Sequence, residues 1–225
     1  DTYTNMMDSG NFNDFDVLMG NCAQEFPIFP DGKMPLEDYY AYLEDAFADN
    51  VENMKKWYPA NTPEQAAKQV ATIASDIMLM GAIRIGQLCN QYGRRAYLWL
   101  MNKENETERG RLFGCPHCAE MPYLFGRVDT GERNPFLPYK WVDKDYAFME
   151  LVQGYWHAFC ATGNPNGEGR PEWKQFEDNF EIILLGNETR MISDDEKEKY
   201  AYYLKKLTER NTNAPTVSLG NLARI

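Results

Sequence analysis

Apolar residues fall in short continuous runs and in helical-period stripes that alternate along the chain, as expected of strands buried between helices. Val17-Leu18-Met19-Gly20 is an apolar run ending on a turn former, which predicts a buried strand that stops abruptly. From Pro35, Tyr39, Leu43, Ala46, Phe47 and Val51 recur on one helical face behind the acidic first turn of Glu37 and Asp38. This predicts a helix that Trp57-Tyr58-Pro59 ends. Thr62 as N-cap and Pro63 at the first position open a second helical stretch, which runs to about Tyr92-Gly93 with an interruption expected near Ser75-Asp76. Its stripe of Ile73, Ile77, Met80, Ile83 and Leu88 reads as core.

Arg95-Ala-Tyr-Leu-Trp-Leu-Met101 is the clearest strand, and its unbroken apolar run predicts burial on both faces of a parallel sheet. A charged loop, residues 102–111, follows. Beyond Phe125-Gly126 lies a connection rich in Pro and Gly. A helix is then expected over Asp143–Ala161, carrying Phe148, Leu151, Val152, Tyr155, Trp156 and Phe159 inward. A turn cluster at residues 162–169, a last strand at Glu181–Gly186, a charged helix at Asp194–Arg210 and a loose tail after Asn211 complete the pattern. The fold class is α/β, with mostly parallel strands and flanking helices, read as a single region over residues 1–225.

Composition narrows the function. The 225 residues are 44% hydrophobic and 14% aromatic, enough for one domain with a large core. A net charge of -11, with Lys and Arg forming no stripe, argues against a nucleic-acid partner. No apolar run approaches the roughly 18 residues of a bilayer span, and the best candidate, Ile77–Gly86, contains Arg84, so no membrane partner is expected. The glycines of residues 162–169 lack the lysine and helix start of a phosphate loop. Five cysteines leave at least one thiol free, which leans toward a reducing, cytoplasmic setting without excluding secretion. The sequons at Asn105 and Asn187 carry little weight.

The chemistry concentrates in Gly114-Cys-Pro-His-Cys-Ala-Glu-Met-Pro-Tyr-Leu-Phe-Gly126, which holds one of only two histidines. Cys115-Pro-His-Cys118 reads as a dithiol redox motif or half of a metal site, and His117 alone reads as a general base. The plain alternative is a packed loop. Glu25 lies just past the carboxyl end of the first strand, where open α/β sheets place working residues, and its plain alternative is a solvated loop charge. His157, on a helix among aromatics, reads as a packed or partly exposed structural histidine.

Three segments in order resemble the C-terminal half of the type B carboxylesterases, the cholinesterase-like branch of the α/β-hydrolase fold. Leu18-Met-Gly-Asn-Cys-Ala-Gln-Glu25-Phe-Pro-Ile-Phe is similar to the family's acid-bearing segment. His117-Cys-Ala-Glu-Met-Pro-Tyr-Leu-Phe-Gly126 is similar to its histidine segment. Tyr155-Trp-His-Ala-Phe-Cys-Ala-Thr-Gly-Asn-Pro-Asn166, with Trp173, resembles its helix, turn and following tryptophan. The resemblance implies a carboxylic-ester hydrolase with a Ser-His-Glu triad, run in the chain order nucleophile, acid, histidine. Glu25 would orient His117, and His117 would relay the serine proton through an acyl-enzyme, with no cofactor and a small-molecule ester as substrate. Glu120 would be a structural carboxylate beside the site.

Two positions depart from the family pattern: Cys118, where a small residue such as glycine is usual, and Gln24, where an acid is usual. More consequentially, no Gly-x-Ser-x-Gly occurs, and Ser9, Ser75, Ser193 and Ser218 have no nucleophile-elbow context. In the family the nucleophile and oxyanion donors lie on the N-terminal half. The chain is therefore expected to be the C-terminal portion of one domain, beginning partway along a longer product, inactive alone and exposing a strand edge for the missing half. Two rivals stay open. Cys115-Pro-His-Cys118 is identical to the active-site tetrapeptide of thioredoxin-fold dithiol oxidases, and the cholinesterase-like fold also serves non-catalytic adhesion proteins. A zinc site would need His157 or Cys160 to converge on the same cysteines. Met78, Met80, Phe125 and aromatics of residues 36–58 are candidate pocket walls, with core packing the main role for most of them.

Overall fold

The computed structural model describes residues 9–127 and 141–211. Its elements are β1 (Val17–Cys22), α1 (Leu36–Ala46), α2 (Val51–Trp57), α3 (Pro63–Gln91), β2 (Ala96–Met101), α4 (Glu108–Phe113), α5 (Met121–Leu124), α6 (Asp143–Thr162), β3 (Ile182–Leu185), β4 (Arg190–Met191) and α7 (Asp194–Asn211). The strands form one sheet in the order β1-β2-β3-β4. Val17 pairs with Ala96 and Leu98 with Ile182 in parallel register, whereas β4 returns antiparallel with Met191 opposite Ile183. The expected α/β architecture is therefore present. The short β4, two residues long, has no apolar run to announce it.

Period-two alternation along the central strands divides the core between the two faces of the sheet. Leu98, Leu100, Ile182 and Leu184 join Tyr39, Leu43, Val70, Ile73, Leu79, Ile83 and Tyr200 on one face. Tyr97, Trp99, Met101, Ile183 and Leu185 join Tyr123, Phe148, Val152, Tyr155 and Trp173 on the other. All six residues of β2 are buried, as its continuous apolar run predicts. Trp173 is locked in place by its indole N–H, which donates to the Leu98 carbonyl at 3.1 Å.

Four expectations need correction. The helix expected from Pro35 to Trp57 is two helices: α1 closes where the Phe47 amide donates to Leu43, and α2 opens after Asn50. The break lets Met54 and Tyr58 enter the core and leaves Ala46 exposed. A buried hydrogen bond of 2.5 Å from the Tyr39 hydroxyl to the Tyr58 carbonyl ties the two helices together. Conversely, no interruption occurs at Ser75-Asp76, and α3 runs unbroken for 29 residues. Both polar side chains find partners without leaving the helix: the Ser75 hydroxyl donates to the Ala71 carbonyl, and Asp76 accepts from Tyr58, Lys199 and Tyr200. Ile77 is 38% exposed instead of buried, while Ile73, Met80, Ile83 and Leu88 are core.

The charged loop after β2 contains α4, whose N-cap Thr107 accepts from the Gly110 amide at 2.9 Å. Lys103 of that loop is buried, with its ammonium 2.5 Å from Asp145 on α6. Residues 121–124 form the single-turn helix α5, with Pro122 in its first turn, where a missing N–H costs nothing. The Pro- and Gly-rich connection, from residue 128 onward, and the tail beyond residue 211 lie outside the described residues.

One helix, α3, is long and apolar enough by length and composition to cross a membrane. Half of its most apolar stretch is buried in the protein, and its core residues pack against β1, β2, α1 and α7. Core packing accounts for its hydropathy.

Candidate active site

The site is built where β1 and β2 end. Past Cys22 the chain stays on the sheet for one more residue, with the Ala23 amide donating to Met101 at 2.8 Å. Gln24 then forms a parallel bridge with Pro116. The Gln24 amide donates to the Cys115 carbonyl at 3.0 Å, its Oε1 accepts from the Cys115 amide at 2.7 Å, and its Nε2 donates to Thr72 at 2.9 Å. A carboxylate here would lose the donor to Thr72, which accounts for glutamine at a position the family usually fills with an acid. Gly114, at φ +73°, lies so close that a Cβ would meet Gln24 Oε1 at 2.1 Å.

This bridge brings Glu25 and His117 together. Glu25 Oε2 lies 2.6 Å from His117 Nδ1, and the His117 amide donates to the Glu25 carbonyl at 3.1 Å. The other carboxylate oxygen, Oε1, accepts from the Cys22 amide at 2.6 Å. Glu25 is anchored from behind as well, its amide donating to Ser75 Oγ at 2.7 Å. The Glu25 side chain is 7% exposed and the His117 side chain 64%, so a buried carboxylate supports a ring that faces outward. Phe26 stacks on that ring with centroids 5.7 Å apart and planes at 22°. The solvated loop charge considered for Glu25 is thereby ruled out.

The neighbouring cysteines are not a dithiol redox pair. Cys115 is fully buried and Cys118 exposed, and all five cysteines are free thiols. Cys115 does not open a helix, since α5 begins only at Met121. Burial pushes the Cys118 thiol up, and the charges of Glu120 and Glu25 push it further, the opposite of an activated thiolate. Hydrogen bonding to Cys115 and burial push the Cys22 thiol far up, and its Sγ donates to Glu120 Oε2 at 3.3 Å. Glu120 thus sits against β1 as a structural acceptor. Among the described residues, no three His, Cys, Asp or Glu side chains converge to hold a metal ion.

Cys118 has φ +64°, a conformation that costs a side-chain-bearing residue roughly 1 kcal/mol and glycine almost nothing. This conformation gives a physical reason for a glycine at that position, which the resemblance to the family implies is usual there. His157 is exposed on α6. Of the candidate wall residues, Met80, Tyr39 and Tyr58 are core, whereas Met78 and Phe125 are exposed. Sequence reasoning missed Ser75 and the Cys22 amide. The first lay in a helix with no motif around it, and a backbone donor leaves no trace in residue types.

A profile described as the carboxylesterase family matches residues 6–203. The chain belongs to the carboxylesterase family. Fumonisin B1 esterase of Sphingopyxis macrogoltabida is 26% identical over 185 residues, a match covering 80% of this chain and 34% of that enzyme. Neuroligin-3 of Mus musculus is 24% identical over 183 residues, covering 72% of this chain and 22% of neuroligin-3. Among solved structures, a thermophilic pNB esterase superposes with a TM-score of 0.62 at 20% identity, covering 88% of this chain and 40% of that one. The last likeness establishes the α/β-hydrolase fold for this carboxylesterase-family chain. The chain spans 34% of the fumonisin esterase's length and 22% of neuroligin-3's.

Proposed function

We propose that Glu25 and His117 are the acid and the histidine of a Ser-His-Glu triad in a carboxylic-ester hydrolase. The nucleophilic serine belongs to the part of the family's length that this chain does not span. One observation carries the reading: the 2.6 Å contact between Glu25 Oε2 and His117 Nδ1, with Glu25 Oε1 held by the Cys22 amide. A carboxylate fixed at Nδ1 selects the tautomer whose Nε2 is the proton acceptor, and it stabilises the imidazolium that forms when Nε2 takes the serine proton. The proton then passes to the leaving alcohol, the acyl group stays on the serine, and water attacks in the second step with His117 again as base.

The nucleophile-bearing half would dock along β1, which among the described residues pairs only with β2 and so leaves one edge open. Alone, the 225 residues would be inactive, since they hold no nucleophile elbow. The likeness to neuroligin-3 raises a non-catalytic interaction role as the alternative, and the buried, doubly held Glu25 facing His117 favours hydrolysis over it. The test is turnover of a small chromogenic ester by the chain alone and by the chain joined to its upstream coding sequence. Activity only in the joined protein, reduced about 10⁴-fold by Glu25→Gln, is expected. Equal turnover by Glu25→Gln and the unaltered joined protein would rule out the triad.

A further inference from the structure

We infer that Ser75, in the middle of α3, is the positioning residue for the Glu25–His117 pair. Three hydrogen bonds made by two of its groups point to this role. Its hydroxyl accepts the Glu25 amide at 2.7 Å and donates to the Ala71 carbonyl at 2.9 Å, so both of its hydrogen-bonding directions are used and its rotamer is fixed. Its carbonyl accepts from Asn21 Nδ2 at 3.2 Å, and the same Asn21 amide group reaches the Cys22 carbonyl at 2.9 Å. Cys22 in turn presents its amide to Glu25 Oε1. One helical residue therefore grips the end of β1 through Asn21 and the segment after it through Glu25, while Glu25 reaches across to His117.

Ser75 is fully buried, and no water competes for these bonds. The next residue, Asp76, is bonded to Tyr58, Lys199 and Tyr200, which fixes this turn of α3 against α2 and α7. Glu25 is thus placed by a rigid helix instead of by the loop in which it lies. A serine here disfavours the helix slightly, and its position is accounted for by the bond to Glu25. The functional meaning rests on the triad reading, but the hydrogen-bond geometry does not, and the experiment separates the two.

The readout is the hydrogen-bonded Nδ1 proton of His117 in nitrogen-labelled protein, followed by NMR, with the exposed His157 as internal reference. Ser75→Ala is expected to speed solvent exchange of that proton about tenfold, because it removes a buried hydrogen bond behind Glu25, and Ser75→Thr, which keeps the hydroxyl, is expected to restore it. In the full-length protein Ser75→Ala should lower kcat more than it changes KM. An unchanged Nδ1 exchange rate in a folded Ser75→Ala protein overturns the inference. If that variant does not fold, exchange of the Glu25 amide in the unaltered protein decides. Protection equal to that of β1 supports the bond to Ser75, and exchange as fast as an open loop refutes it. Loss of the Nδ1 proton in Ser75→Ala without any ester turnover in the parent would sink the triad reading and leave the positioning role intact.

Discussion

Asp76 and Lys199, 123 positions apart, form an ion pair of 2.8 Å in which the Asp76 side chain is almost wholly buried. Tyr58 and Tyr200 complete the shell with hydroxyl bonds of 2.7 and 3.0 Å to the same carboxylate. Asparagine keeps the shape but removes the charge facing Lys199 and turns one carboxylate oxygen into an NH2 donor, so either the Tyr200 hydroxyl, or Lys199 and the Tyr58 hydroxyl together, lose their acceptor. Asp76→Asn is expected to destabilise the fold by on the order of 3 kcal/mol, read as a shift of the urea midpoint at constant slope. A change within about 0.5 kcal/mol would show that α7 is held by apolar packing alone.

The same cluster sets an alkaline limit. Burial and the charge of Asp76 push the hydroxyls of Tyr58, Tyr200 and Tyr203 well above the ordinary tyrosine pKa. A group whose folded pKa is raised gives up no stability below its unfolded pKa, and loses it as pH climbs from there toward the folded value. Stability should therefore be flat through neutral pH with respect to these groups and fall above about pH 10, the unfolded tyrosine value. Denaturation midpoints measured between pH 8 and pH 11.5 check this. A midpoint that stays level to the top of that range would contradict the buried, protonated cluster.

The thiols give a third expectation. Cys22, Cys89 and Cys115 are buried, and Cys118 and Cys160 are exposed. A maleimide should modify two cysteines in the native protein and all five after denaturation. Cys118 should react slowly at neutral pH, since burial and the carboxylates of Glu120 and Glu25 keep its thiol protonated. Rapid native labelling at Cys115 would contradict the packing behind Gln24.

These contacts also mark how far the sequence could be read. β2 and α6 were legible because an unbroken apolar run and a helical stripe of aromatics each admit one reading. Glu25, just beyond a strand, and His117, within its Cys- and His-bearing segment, could each be singled out, but the bridge of Gln24 to Pro116 that joins them is backbone pairing and leaves no residue signature. At Ser75-Asp76 polarity inside an apolar stripe resembled a helix break, since the partners that satisfy it, Glu25, Tyr58, Lys199 and Tyr200, come from distant segments. Tertiary contacts overrode local pattern there, and again where α1 and α2 separate to bury Met54 and Tyr58.

The most direct test of the triad is covalent labelling of the full-length protein by a fluorophosphonate, read by intact mass with and without His117→Ala. A single adduct on a serine upstream of these 225 residues, abolished or slowed at least about 10³-fold by His117→Ala, is the predicted result. Labelling at an unchanged rate in His117→Ala, or no adduct on any serine of the unaltered protein, would contradict it.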